Sequence, residues 1–127
     1  MIPVFTAILT LAIWIVCLIP VPETPLDNVA FIDKWTHFVM YGTLTIVTWT
    51  EYFYHHRQGK TLPPVSIGMI RGFVWPIIMG GLIELAQHYL TTCRSGDWLD
   101  FLCNSIGVVL GFAIVMVGKR IYQKTIT

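Results

Sequence analysis

The chain has 127 residues, of which 55% are apolar and only 12% are charged, and its mean hydropathy is +0.69. Soluble domains carry about twice that charged fraction, so this chain has too few charged side chains to cover a water-facing surface. The net charge of +1 comes without a basic stripe, which argues against nucleic-acid binding. Length, composition and charge thus exclude a multidomain enzyme and a nucleic-acid-binding protein, and they favour an integral membrane protein.

Four stretches of the chain are almost free of charged residues, and each is long enough to cross a bilayer core of about 30 Å as a helix. They cover residues 1–22, 35–54, 72–93 and 101–118. The first stretch lacks the basic residues and the small-residue cleavage site of a signal peptide, so we expect it to be retained as a helix. The sequence therefore predicts a single domain over residues 1–127, an all-α bundle of four transmembrane helices.

Basic residues are distributed unevenly between the two sides of the predicted membrane. Six of the eight Lys and Arg residues follow the second or the fourth stretch, and they are Arg57, Lys60, Arg71, Lys119, Arg120 and Lys124. The positive-inside rule places these segments, and with them both termini, on the cytoplasmic side of the membrane. Trp35, Tyr89 and Trp98 then lie at the outer ends of their helices, where aromatic residues concentrate at the boundary between lipid and water.

Small residues and a proline mark the last two helices. Pro76 removes a backbone donor from the third helix and predicts a kink, and Gly80 and Gly81 permit a close approach by a neighbouring helix. Gly107 and Gly111 are four residues apart on the fourth helix, a spacing that allows tight helix contact. We expect this contact inside the bundle, with a homo-oligomer through Gly107 and Gly111 as the alternative.

Glu51 is the charged residue of the second stretch, near its predicted inner end. His55 follows it by four residues, and side chains at this spacing are neighbours on the surface of a helix. We therefore expect a contact between Glu51 and His55 at the inner interface. The adjacent His55 and His56 are expected to be solvated side chains rather than metal ligands.

Polar residues that lipid does not tolerate recur at helical spacing in the last three helices. They are Asp33, His37 and Tyr41 on the second helix, Glu84, Gln87 and His88 on the third, and Asp97, Asp100 and Asn104 on the fourth, with Lys34 and Arg94 beside them. In the predicted orientation Tyr41, Glu84 and Asn104 each lie about 9 Å from the outer ends of their helices. Burying an ionisable group in a bilayer costs several kcal/mol unless it is paired or hydrated. The three helices therefore predict a shared polar pocket in the outer half of the membrane.

Three of these segments resemble the signature of the VanZ-like family, which is named for a membrane protein that lowers susceptibility to the lipoglycopeptide antibiotic teicoplanin. The matching segments are residues 33–41, 80–87 and 94–100, with Asn104, Gly107 and Gly111 after them. The family often has a proline before the arginine, where this chain has Thr92. The resemblance implies a small helical membrane protein of the bacterial envelope, associated with teicoplanin resistance, and it does not supply a reaction.

Two hypotheses for the pocket stay open. In the first, the protein is a membrane-embedded enzyme acting on a membrane lipid or a lipid-linked precursor, in which Glu84 and His37 exchange protons and Asp100 orients one of them. The candidate substrate-binding residues are Asp33, Lys34, Tyr41, Gln87, His88, Arg94, Asp97 and Asn104. Lys34 and Arg94 would hold an anionic head group. In the second hypothesis the same pocket binds a lipid or a lipophilic antibiotic without chemistry, and a proton-coupled transporter is the least favoured function.

Candidate metal ligands are present, and they are His37, Glu84, His88, Asp97 and Asp100. No H-x-x-x-H or C-x-x-C spacing accompanies them, so a metal site is a less favoured alternative and the sequence predicts neither a metal ion nor another cofactor. Cys17 is expected to fill apolar space in the first helix. Cys93 and Cys103 fall near the outer face. A disulfide between them, or a nucleophilic Cys93 beside Arg94, are alternatives that the sequence leaves open.

Overall fold

The computed structural model describes residues 3–20, 25–57, 65–92 and 96–126. All regular secondary structure in these residues is helical. The four long helices are α1 (Val4–Leu18), α2 (Ile32–Arg57), α3 (Val65–Leu90) and α4 (Trp98–Thr125), and a short 3-10 turn, Pro25–Asn28, precedes α2. The predicted all-α class with four helices is confirmed.

Two of the four helices, α3 and α4, are long and apolar enough to cross a membrane. The helix α1 is apolar but has only 15 residues. The helix α2 has 26 residues, yet its threonine, tyrosine, histidine and tryptophan side chains make it less apolar than a typical membrane span. The uncharged stretches of the sequence thus coincide with helices. Two of these helices, α3 and α4, have the length and the apolar composition that a membrane span requires.

The helices α2 and α4 run parallel to each other, and α1 and α3 run in the opposite direction. Near their starts, α2 and α4 are joined by an ion pair between Lys34 and Asp100. Near their ends, α1 and α3 are joined by a hydrogen bond from Gln87 to the carbonyl oxygen of Cys17. We call the end of the bundle that holds these four residues the Lys34 end. The opposite end, where Glu51 contacts the start of α1, is the Glu51 end.

Glycines on α2 and α4 let the backbones of these two helices touch. A Cβ atom on Gly107 would collide with the carbonyl oxygen of Phe38, and a Cβ atom on Gly111 would collide with the carbonyl oxygen of Gly42. Only small residues allow so close an approach of two helices. Gly107 and Gly111 are thus packed inside the bundle, as expected. Because α2 covers both glycines, neither is exposed to a second copy of the chain.

The helix α3 changes its hydrogen-bond register just before Pro76. Residues Ile70–Val74 form a π-helical turn, and the amide of Trp75 donates to the carbonyl oxygen of Ile70, five residues back. Proline has no N–H, so the carbonyl of Gly72 lacks its usual partner four residues later, and a wider turn accommodates the mismatch. The irregularity expected at Pro76 is therefore a π-helical turn that immediately precedes it.

The apolar core lies between the four helices and is small. Its buried side chains are Ile13, Cys17, Tyr41, Leu44, Met79, Ile83 and Val108. Large apolar side chains on the outward faces are exposed, for example Leu11 at 62%, Leu82 at 44% and Ile114 at 59%. So much exposed apolar surface around so small a core is not typical of a water-soluble bundle.

Candidate functional site

Three helices bring an imidazole, a carboxylate and an amide together at the Lys34 end. Nδ1 of His37 lies 3.0 Å from Oδ1 of Asn104 and 3.6 Å from Oε1 of Glu84. All three side chains are buried, with exposed fractions of 4% for His37, 0% for Asn104 and 8% for Glu84. The structure thus places these three predicted site residues, one each from α2, α3 and α4, in one cluster.

Gly80 explains how the three helices approach so closely at this cluster. A Cβ atom on Gly80 would lie 3.0 Å from Nδ2 of Asn104 and 3.3 Å from the ring of Tyr41. Tyr41 follows His37 by one turn of α2, and Glu84 follows Gly80 by one turn of α3, so the faces that carry the polar groups are also the faces that meet. Tyr41 is fully buried in this contact.

A lysine bridges two aspartates beside the cluster. Nζ of Lys34 lies 3.0 Å from Oδ2 of Asp97 and 3.1 Å from Oδ1 of Asp100. Asp100 is buried, whereas the side chain of Asp97 is partly exposed. Because both carboxylates engage its ammonium group, Lys34 is not the free cation that the sequence-based hypothesis assigned to an anionic head group.

Asp97 ties the start of α4 to both neighbouring helices. Its Oδ1 accepts a hydrogen bond of 3.0 Å from the N–H of Leu99, as an N-cap does, and its own N–H donates to Oε2 of Glu84 at 3.0 Å. The hydrogen bond from Leu99 and the ammonium of Lys34 lower the pKa of Asp97 below its usual value. The carboxylate is therefore ionised at neutral pH and connects α2, α3 and α4 at one point.

Several buried polar atoms of the cluster have no hydrogen-bond partner among the described residues. They are Oε1 of Glu84, Nδ2 of Asn104 and the hydroxyl of Tyr41. A buried polar atom without a partner costs about 1–3 kcal/mol, so folded proteins keep few of them. These three atoms therefore mark a place where a bound group can complete the hydrogen bonds.

An open groove of about 570 Å³ runs between α3 and α4 and reaches this cluster. Its polar lining residues are Glu84, His88 and Asp97. The other lining residues are apolar or glycine, and they are Ile78, Gly81, Leu82, Leu85, Gly96, Trp98 and Phe101. A groove with one polar end and apolar walls matches an amphiphile that has a polar head and an apolar tail.

Two predicted site residues of α3 lie outside the central cluster. Gln87 is buried, but its amide donates a hydrogen bond of 2.8 Å to the carbonyl oxygen of Cys17, which fastens α1 to α3. His88 is exposed on the wall of the groove, with its ring edge-on to that of Tyr89. Gln87 thus has a structural partner already, while His88 is accessible to a molecule in the groove.

The remaining predictions concern the two loops at the Lys34 end. Asp33 is exposed at the start of α2. Arg94 and Cys93 lie outside the described residues, so their predicted roles stay predictions. Neither Cys17 nor Cys103 forms a disulfide among the described residues, and Cys17 is buried in the core as expected.

A second buried carboxylate, at the Glu51 end, has a role that the sequence analysis missed. Glu51 accepts hydrogen bonds from the N–H of Phe5 at 3.2 Å, the N–H of Thr6 at 3.1 Å and the hydroxyl of Thr6 at 2.9 Å. The first turn of any helix leaves such N–H groups without partners, and Pro3, the N-cap of α1, provides no side-chain cap. The carboxylate turns toward α1, and Nδ1 of His55 has no hydrogen-bond partner among the described residues, so the structure shows no hydrogen bond from this nitrogen to Glu51. A lone carboxylate in an apolar stretch was the signal available in the sequence.

Comparison of the chain with known proteins finds no matching family model, no matching curated protein and no matching solved structure. The fold and the site therefore rest on the residues and geometry of this chain alone. The VanZ-like resemblance of residues 33–41, 80–87 and 94–100 stays a prediction.

Proposed function

We propose that the protein is a four-pass membrane protein of the bacterial envelope. Exposed apolar side chains support this, since only 22% of the most apolar 18-residue window of α4 is buried inside the bundle. The core helix of a water-soluble protein would be mostly buried. The helix α1 is fastened to α2 by Glu51 at one end and to α3 by Gln87 at the other, so the four helices cross the bilayer as one bundle.

We place both termini of the chain in the cytoplasm. The basic residues near the Glu51 end are Arg71, Lys119, Arg120 and Lys124. Exposed aromatic side chains lie at both ends of the bundle, and they are Trp35, Tyr89 and Trp98 at the Lys34 end and Phe5, Tyr54 and Tyr122 at the Glu51 end. Basic residues favour the cytoplasmic side, and exposed aromatic residues favour a lipid boundary. A reporter that is active only in the cytoplasm should therefore be active when it is fused to the C terminus. Activity of a reporter that works only outside the cytoplasm, fused at the same position, would show the opposite topology.

We further propose that the site binds a membrane lipid or a lipid-linked cell-wall precursor. The observation that carries this proposal is the continuity of the apolar groove with the buried polar cluster. The tail lies along Leu82, Leu85 and Phe101, and the polar head reaches Glu84 and His37. The unpartnered oxygen of Glu84 can accept a hydrogen bond from a hydroxyl or an amine of the head group.

Within this proposal Glu84 is the proton acceptor. One of its oxygens is held by the backbone at the start of α4, while Oε1 has no donor in the described structure and faces His37. A hydroxyl or ammonium group of the head group can give its proton to Oε1, which leaves a more nucleophilic oxygen or a neutral amine nitrogen. Asn104 orients the imidazole of His37 beside the new acid. Asp100 keeps its partner Lys34 and contributes through its charge.

A non-catalytic binder of the same lipid, or of a lipophilic antibiotic, is the second candidate function. One observation favours it: Lys34 is already neutralised by Asp97 and Asp100, so the described part of the cluster offers no free lysine or arginine to hold a phosphate. Through the VanZ-like resemblance, either function would connect the chain with teicoplanin resistance. The susceptibility of cells with and without the protein measures that connection.

The central test compares two variants of buried carboxylates, Glu84→Gln and Glu51→Gln. Each protein is purified in a mild detergent, and its co-purified lipids are identified by mass spectrometry beside the total membrane lipids of the same cells. We expect one lipid class to co-purify with the unmodified chain and with Glu51→Gln. Glu84→Gln should retain roughly tenfold less, the effect of losing about 1.4 kcal/mol of binding free energy.

The lipid analysis also separates the two candidate functions. A lipid species that appears in membranes only when Glu84 is intact supports modification. A lipid that co-purifies unaltered supports the non-catalytic binder. Equal lipid in Glu84→Gln and Glu51→Gln would remove Glu84 from the site.

A further inference from the structure

His37, Glu84 and Asp100 come from three different helices, and each presents a metal-ligating atom to the same point. These three atoms lie within 4.8 Å of one another, and all three side chains are buried. We propose that they bind one divalent transition-metal ion. This inference goes beyond the proposed lipid function and does not depend on it, and an ion bound to Oε1 of Glu84 would replace the proton-accepting role of that oxygen.

An unpartnered oxygen points into the space between these residues. Glu84 is 8% exposed, and its Oε1 has no hydrogen-bond donor among the described residues, although it lies 3.6 Å from Nδ1 of His37. A buried carboxylate oxygen normally has a partner, such as a hydrogen-bond donor or a metal ion. The 3.6 Å separation is long for a hydrogen bond and close to the spacing of two ligands on one tetrahedral ion, about 3.3 Å.

The charge balance of the network also favours a cation. Glu84, Asp97 and Asp100 are linked through hydrogen bonds and ion pairs, and Lys34 is the one lysine or arginine that the described residues place in this network. Carboxylates in apolar surroundings are stable only when they are paired. Lys34 neutralises one of the three carboxylates, and a divalent ion between Glu84 and Asp100 would balance the other two negative charges.

The ligand types indicate which ions fit. One imidazole and two carboxylates suit ions such as Zn²⁺ and Mn²⁺, whereas soft ions such as Cu⁺ prefer sulfur. Nδ1 of His37 lies 3.0 Å from Oδ1 of Asn104, and an ion bound at Nδ1 would replace that hydrogen bond, because a ring nitrogen that ligates a metal carries no hydrogen. Ligands of a tetrahedral ion lie about 3.3 Å apart, so a pair separated by as much as 4.8 Å has to close by about 1.5 Å when the ion binds.

The test uses the full chain, purified in detergent, freed of any affinity tag and stripped of metal by a chelator. ZnCl₂ and, separately, MnCl₂ are titrated by calorimetry, and the bound metal is counted by elemental analysis after gel filtration. We expect one Zn²⁺ or Mn²⁺ ion per chain. Glu84→Gln and Asp100→Asn should each weaken binding of the preferred ion by roughly 100-fold, because each removes a charged ligand.

Two carboxylates outside the cluster provide matched controls. Asp33→Asn changes an exposed carboxylate at the same end, and Glu51→Gln changes a buried one at the other end. Both should bind the ion as the unmodified chain does. Less than stoichiometric binding by the unmodified chain overturns the proposal without reference to any variant. Equal binding by the ligand variants and the controls overturns it as well. Lipid co-purification is measured separately, so the failure of either proposal is recognised independently of the other.

Discussion

The two ends of the bundle bury one carboxylate each, and the two carboxylates differ in how completely they are hydrogen-bonded. Glu51 and Glu84 are both 8% exposed. Both oxygens of Glu51 accept hydrogen bonds, from two amides and a hydroxyl at the start of α1. Within the described residues only one oxygen of Glu84 does, from the amide of Asp97. The two carboxylates are equally buried, but only Glu84 has an oxygen that can still accept a hydrogen bond from a ligand.

The difference follows from what each carboxylate faces. The helix α1 begins without a side-chain cap, and the first N–H groups of a helix attract negative charge. Glu51 supplies that charge from α2. Glu84 instead faces His37, whose Nδ1 is already hydrogen-bonded to Asn104. Within the described residues both oxygens of Glu51 therefore have hydrogen-bond donors, whereas Oε1 of Glu84 has none.

The largest expected effect on the free energy of unfolding concerns the contact between α2 and α4, the two helices that run through both ends of the bundle. Residues of both ends lie on α2, which is held against α4 through Gly107. Gly107→Ala places a methyl group against the carbonyl oxygen of Phe38, and a backbone oxygen cannot turn aside as a side chain can. We expect the free energy of unfolding to fall by about 3 kcal/mol. Thermal unfolding in detergent measures this change.

Gly118→Ala is the matched control on the same helix, since a Cβ atom at Gly118 meets nothing within 4 Å. Alanine in a helix is more stable than glycine by roughly 0.5–1 kcal/mol, so this variant should be slightly more stable than the unmodified chain. The two glycine-to-alanine changes should thus have opposite signs. A small increase in the free energy of unfolding in both variants would contradict the close contact of α2 with α4.

An intermediate effect compares the two carboxylates directly. Glu51→Gln removes the charge and one acceptor from the start of α1, and we expect the free energy of unfolding to fall by about 1–2 kcal/mol. Glu84→Gln should lower it less, because an amide oxygen can still accept from Asp97. Unfolding is measured for both variants beside their lipid content. A larger loss of stability in Glu84→Gln would make Glu84 the structural carboxylate and reverse the comparison.

Sequence reasoning could predict the part of the site that follows helical periodicity. Spacings of three and four residues place His37, Glu84 and Asn104 on the polar faces of their helices, at a common depth. The energetic penalty of exposing such faces to lipid then predicts that they meet. The four helices themselves follow from the uncharged stretches, which require no tertiary information.

The parts that sequence could not predict depend on partners from other helices. No local pattern distinguishes Gln87, which binds α1, from Glu84 three residues earlier. The pairing of Lys34 with Asp97 and Asp100 depends likewise on where the start of α4 lies. Spacing rules for metal ligands apply mostly to residues on one helix or loop. They therefore do not detect a cluster such as His37, Glu84 and Asp100, whose members come from three helices.

The smallest expected effect concerns the acid stability of the Lys34 end. The hydrogen bond from Leu99 and the ammonium of Lys34 lower the pKa of Asp97 below its usual value of 3.8. A carboxyl group whose pKa is lowered by folding stabilises the protein at neutral pH, and this contribution is lost as the pH falls through the folded-state pKa. Asp97→Asn should therefore make stability fall less steeply below about pH 4. At neutral pH the change should be small, because asparagine also caps helices well.

Unfolding temperatures measured in detergent from about pH 6 to about pH 3 test this expectation across the ordinary range of a carboxyl pKa. Asp33→Asn is the control, because Asp33 is exposed and lies outside the contacts of Lys34. If Asp97→Asn followed the unmodified chain at every pH, the contact between Lys34 and Asp97 would contribute nothing in solution. Lys34 would then be paired with Asp100 alone, and its neutralisation, which favours a non-catalytic binder, would be weaker.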